Sequence, residues 1–160
     1  MEWGGVRWAM SPTFTVRRLG PGDEAALTRL AELEPAFTGE APSPPLTPAQ
    51  ARAFLADPAV WHWQAETPGG EGVGFLTAQL QRGRHGEARV VFFDEIGVRE
   101  DWRRRGVGRA LVAALHAQMR AVGVGGVWVL ADNPGAQAFY EACGYAVSTL
   151  QGVMLEREVG

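Results

Sequence analysis

Lysine is absent from this chain of 160 residues, and all fifteen basic residues are arginine. A Walker-type phosphate loop needs its lysine and so does a pyridoxal Schiff base, so both chemistries fall together. Cysteine is nearly absent too. Cys143 stands alone, which excludes an internal disulfide and points to the cytoplasm. Long apolar runs are missing: nothing approaches the roughly 18 residues of a membrane span, and the N-terminus has no apolar core of a signal peptide. There is no surplus of positive charge. The formal net charge is −3, so neither nucleic acid nor a membrane is an expected partner. No Gly-x-Ser-x-Gly elbow occurs, and His62, His85 and His116 lack metal-ligand spacing, so no metal is expected.

What remains is an apolar fraction of 46% and a mean hydropathy of −0.09, enough for one well-filled core. Residues 1–11 read as a disordered extension and 12–160 as a single domain. "TFTVRRL" (13–19) reads as a strand, followed by a helix from Asp23, its expected N-cap. The loop "EAPSPPLTP" (40–48) leads into a second helix with Thr47 as N-cap and Pro48 at its first position. Three strands follow: 59–66, 73–81 and 88–98. His62 alternates against Trp61 and Trp63, which point together to the other face as core. A helix over about 106–121, a strand (125–131) and a helix (133–143) come next, and 145–158 reads as two closing strands turning near Gln151 and Gly152. The order implies a mixed α/β sheet with helices on both faces.

The segment "DWRRRGVGRAL" (101–111) breaks the usual rules for a helix start, because it places Gly106 and Gly108 in the first turn. A helix N-terminus exposes about four unpaired N–H groups, and its dipole favours an anion there. Glycines admit a ligand close to the backbone, and Arg103, Arg104, Arg105 and Arg109 add donors suited to phosphate. A dinucleotide-binding loop fits less well. Leu111 stands where the third glycine belongs, and seven residues separate Val98 from Gly106.

"IGVREDWRRRGVGRALVAAL" resembles the acetyl-coenzyme A motif of the GNAT N-acetyltransferases, Arg/Gln-x-x-Gly-x-Gly/Ala, through Arg103, Gly106 and Gly108. "NPGAQAFYEACGY" resembles the family's second segment through Asn133, Ala136, Phe139, Tyr140, Gly144 and Tyr145. The matched region is about 88–150. The resemblance implies an acyl-CoA N-acyltransferase fold, a mixed, mostly antiparallel sheet in which the strand ending at Val98 splays from the strand "GVWVLA" to open a V. It implies acetyl-CoA as cosubstrate, its pantetheine arm along Ile96, Gly97 and Val98. The phosphates would lie over residues 103–109, Val107 included, with Asn133, Ala136 and Tyr140 near the cofactor. Gly97 is expected at a bulge.

Asp94 and Glu95 end an apolar strand, and strict alternation sends them to opposite faces. Such carboxylates are costly unless paired or functional. The resemblance implies a general base here, with Glu95 the first choice and Asp94 the second; an ion pair with a neighbouring arginine is the structural alternative. Tyr140 is an acid toward the leaving thiolate by the same resemblance, or plain core, since Ala136, Phe139, Tyr140 and Cys143 share a helical stripe. Asn133 has an ordinary role as helix N-cap. "FFDEIGV" and "FLADPAVWHWQAE" carry a faint likeness to the aminoglycoside 3-N-acetyltransferase branch. The expected acceptor is a small-molecule primary amine, with 35–58 flanking it. A protein or peptide acetyltransferase and a non-catalytic acyl-CoA sensor are the alternatives, and the resemblance also implies a homodimer.

Overall fold

The computed structural model describes residues 13–39, 41, 44–150 and 152–160. The extension expected over 1–11 lies outside them. The chain divides into two compact units, one ending at Leu130 and the other spanning Ala131–Gly160.

The first unit is built on a five-stranded sheet in the order β1 (Thr15–Arg18), β2 (Val60–Glu66), β3 (Gly72–Arg82), β4 (Ala88–Val98) and β5 (Val127–Val129). The first three pairings are antiparallel and β4–β5 is parallel. β5 follows β4 for three pairs only, Val91–Val127 to Phe93–Val129. Beyond Phe93 the strand pairs with β3 alone among the described residues, so the strand ending at Val98 parts from β5 at Asp94, which opens the expected splay.

Three helices join β1 to β2: α1 (Glu24–Glu32), α2 (Glu34–Thr38) and α3 (Pro48–Ala56). Asp23 precedes α1 but does not cap it with its side chain. Its carboxylate is taken by the Gly20 N–H at 2.9 Å and by Arg17 at 2.6 Å, and the charged partner outcompetes the helix. α2 was not legible in the sequence, being a five-residue turn ended by Gly39 in the left-handed region. Thr47 caps α3 as expected, in a reciprocal box with Gln50: Gln50 N–H donates to Thr47 Oγ1 at 3.2 Å, and Thr47 N–H to Gln50 Oε1 at 2.9 Å.

α4 (Val107–Val122) covers the opposite face, packing on β2, β3 and β4. Its stripe of Val107, Leu111, Leu115 and Met119 is buried, each large apolar side chain contributing about 1.5–3 kcal/mol. Trp61 and Trp63 are 2% and 5% exposed, edge to face at 6.3 Å, as their alternation requires. Gly74 lets α4 settle on β3, because a Cβ there would stand 2.7 Å from Val107 Cγ1.

The second unit holds α5 (Pro134–Ala142), capped by Asn133 as expected: its Oδ1 accepts the Ala136 N–H at 2.8 Å. Gly144, at φ 93°, ends it. The two closing strands are not formed among the described residues of 145–158, and Gln151 lies outside these. Val147, Leu150 and Val153 recur at a spacing of three, which no strand places on one face, and all three are exposed.

Candidate active site

Thr77 pairs with Glu95 across β3 and β4, but the next pair is Ala78 with Phe93, so Asp94 is an extra residue on β4. This bulge is the one expected at Gly97, displaced. At Gly97 the register is regular, and the missing side chain instead makes room for Phe75, whose ring a Cβ would overlap. The bulge also overturns the expected opposition of the two acids. Thr77 and Gln79, two apart on β3, share a face; Thr77 Oγ1 donates to Glu95 Oε1 at 3.4 Å and Gln79 Nε2 to Asp94 Oδ2 at 3.4 Å. An extra residue cancels the alternation, so both carboxylates lie on the face covered by α1 and α3.

Their surroundings differ. Glu95 reaches a pocket of about 250 Å³ on that face, and Asp94 does not line it. Helix α1 contributes Leu27, Leu30 and Ala31, and Phe54 comes from α3. The sheet contributes His62, Phe75, Thr77 and Glu95. Glu34 and the loop residues Pro44 and Leu46 complete the wall. Burial raises the Glu95 pKa, the charge of Asp94 adds to the rise, and the Thr77 hydroxyl opposes it. His62 Nδ1 lies 2.9 Å from Thr77 Oγ1, so His62, Thr77 and Glu95 form one polar chain. The hydroxyl gives its proton to Glu95, so the imidazole donates from Nδ1, and Nε2 is left as an acceptor. That atom is buried and has no hydrogen-bond partner among the described residues. Burial pushes the His62 pKa down to about 4, which keeps the ring neutral at neutral pH. Sequence reasoning missed His62 and Thr77 as site residues. The alternation that assigned the tryptophans to the core already placed His62 on the other face, and that was the available signal.

The loop before α4 is more divided than its composition suggests. Arg103 Nε donates to the Val98 carbonyl and Nη2 to the Phe37 carbonyl, both at 3.3 Å, so this side chain ties the loop to β4 and α2. Arg105 lies 5.2 Å over the Trp102 ring. Arg104 takes φ 59°, and Gly106 φ 84°. Arg104 and Arg109 are exposed. Val107 is core by its side chain, and α4 starts without a side-chain cap, so the N–H groups of Val107, Gly108 and Arg109 have no carbonyl of their own helix to bond. Ile96 and Val98 are half-buried on β4.

In the second unit, Tyr140 is 8% exposed, beside the rings of Phe139 and Tyr145 at 5.5 and 5.8 Å. Burial raises its phenol pKa, so it stays protonated at neutral pH. Ala136 is half-buried one turn earlier. Among the described residues no group of three acids, histidines or cysteines could hold a metal ion, and no helix is long and apolar enough to cross a membrane.

The profile described as the acetyltransferase (GNAT) family matches residues 27–145. No curated protein sequence matches the chain. Among solved structures, an aminoglycoside acetyltransferase from an uncultured soil metagenomic sample, in complex with sisomicin, superposes with a TM-score of 0.80 at 19% identity, covering 92% of this chain and 97% of that one. A second soil metagenomic aminoglycoside acetyltransferase is 25% identical, with a TM-score of 0.72 and coverage of 91% and 99%. The aminoglycoside N-acetyltransferase AAC(6′)-Iy in complex with CoA gives a TM-score of 0.67 at 18% identity, covering 91% and 100%.

Proposed function

This chain belongs to the acetyltransferase (GNAT) family and is an acyltransferase, and on that premise we propose that it moves the acetyl group of acetyl-CoA to a primary amine of a small molecule, by direct attack within a ternary complex. The observation that carries the reading is Glu95, a carboxylate with a raised pKa on the wall of a pocket, oriented by Thr77. A base of this kind suits proton removal near neutral pH. The reading takes residues 12–160 as one catalytic domain.

The N-terminus of α4 fits a diphosphate. Its first-turn N–H groups lack a side-chain cap, Gly106 turns the chain there without a Cβ, and Arg104 and Arg109 are exposed beside it. Those groups would hold the phosphates of acetyl-CoA, while Arg103 and Arg105 hold the loop. The open edge of β4 at Ile96, Gly97 and Val98 would pair with its amide arm. Asn133 and Ala136 are assigned to the cofactor by their place in the family motif. That a neighbour of this fold was solved with CoA supports the assignment.

When bound, acetyl-CoA supplies an activated acyl carbon and a thiolate leaving group. Glu95 accepts the proton that the amine nitrogen gives up as its bond to that carbon forms. By its place in the family motif, Tyr140 would be the acid that protonates the leaving thiolate. Asp94, on the same face but outside the pocket, acts through its charge on Glu95. The aminoglycoside names of the structural neighbours support a small amine as acceptor. Incubation with acetyl-CoA and a panel of primary amines should release free thiol only when amine is present. Tight acetyl-CoA binding with no amine-dependent release would make the protein a sensor and end the enzymatic reading.

A further inference from the structure

The pocket beside Glu95 has a composition that narrows the acceptor. We propose that it takes a primary amine carrying one compact apolar group, an arylalkyl- or alkylamine, as the acetyl acceptor, and not a polyhydroxylated one. The inference deepens the acetyl-transfer reading and rests on it.

Three observations carry it. The first is the distribution of polar atoms. His62, Thr77 and Glu95 form one contiguous chain of contacts on the sheet. The walls facing that chain are apolar: Leu27, Leu30 and Ala31 from α1, Leu46 from the loop and Phe54 from α3. Glu34 adds a second carboxylate to the same pocket. The site therefore offers negative charge at one place and hydrocarbon elsewhere, which suits a single ammonium group joined to an apolar body. A sugar-based polyamine would press hydroxyl groups against leucine and phenylalanine with nothing to bond them, and each such burial is unfavourable.

The second observation is size. The pocket of about 250 Å³ is smaller than the roughly 300–1,000 Å³ of sites for drug-sized ligands. It suits a ring with a short arm better than a chain of linked sugars.

The third is His62. Its ring sits between Phe54, edge to face at 5.8 Å, and Phe75, stacked at 6.1 Å. The residue is 4% exposed, and its buried Nε2 has no partner among the described residues. A neutral imidazole flanked by two phenyl rings makes that part of the wall aromatic, which suits a ligand ring.

The test compares 2-phenylethylamine, ethylamine and kanamycin with the intact protein. Calorimetry in the presence of CoA reads binding, and thiol release from acetyl-CoA reads transfer. The expected result is a kcat/KM for 2-phenylethylamine roughly tenfold or more above that of either competitor, the discrimination an apolar pocket can supply. Phe54→Ala should raise KM for 2-phenylethylamine more than for ethylamine and so shrink the ratio. Equal values for the three amines, or a preference for kanamycin, overturn the inference while the transferase reading stands. Binding of 2-phenylethylamine with no thiol release from any amine overturns the transferase reading instead and leaves the apolar-amine pocket in place.

Discussion

At Glu95 burial and the charges of Asp94 and Glu34 raise the carboxyl pKa, and the Thr77 hydrogen bond opposes them. Activity needs its deprotonated form, so turnover should rise with pH through a raised pKa, above the ordinary glutamate range. Glu95→Gln should remove that limb and lower turnover about 100-fold, the usual worth of a general base, without weakening acetyl-CoA binding. Asp94→Asn removes a negative charge that raises the Glu95 pKa, so the limb should move to lower pH with the plateau retained. A hundredfold loss in Asp94→Asn, with Glu95→Gln active, would reverse the two roles. The proposed mechanism gives Tyr140 the role of acid. Tyr140→Phe should then lower turnover about ten- to a hundredfold, with melting temperature and acetyl-CoA affinity unchanged. Were Tyr140 packing alone, phenylalanine would be nearly neutral, and only truncation to alanine would hurt, by about 3–5 kcal/mol. The two acids were legible in the sequence. Their common orientation was not, because one inserted residue reverses the parity of a strand and leaves no mark in its composition.

At the scale of the element, the two glycines at the start of α4 answer different demands. Gly106 sits at φ 84°, where a Cβ is strained by roughly 1–2 kcal/mol, even though nothing lies within 4 Å of it. Gly108 lies inside the helix, where the backbone needs no glycine. Gly106→Ala should therefore lower the melting temperature whether or not a ligand binds there. Gly108→Val should keep the fold and abolish acetyl-CoA binding in calorimetry, because its side chain would enter the space over the first-turn N–H groups. If Gly108→Val binds as the wild type does, the phosphates lie elsewhere. The three arginines of the RRRG run read alike as phosphate ligands, and only the folded loop divides them: Arg103 holds Val98 and Phe37, and Arg105 covers Trp102. Composition records the charge of an arginine but not which carbonyl its loop brings within reach.

For the molecule as a whole, the buried His62 makes stability depend on pH. Its pKa is lowered from 6.5 to about 4 by burial. Below the unfolded value the unfolded chain gains a proton that the native ring refuses, so this contribution is complete above about pH 6.5 and lost as pH falls toward 4. The loss is on the order of 3 kcal/mol for a shift of this size. Denaturant unfolding between pH 7 and 4 should show that slope in the wild type and a flatter one in His62→Phe; identical slopes would mean the ring is not buried neutral. Local chemistry was enough to write the element order through α5 except for α2, the Thr47 and Asn133 caps and the inward tryptophans, because periodicity and capping act within a few residues of chain. It was also enough to single out the two acids at the end of β4. The bulge at Asp94, the short β5 and the pocket that unites His62, Thr77 and Glu95 came only with folding. The pocket residues come from positions 27 to 95, and a strand's partner, register and length are set by what packs across from it, which no window along the chain contains.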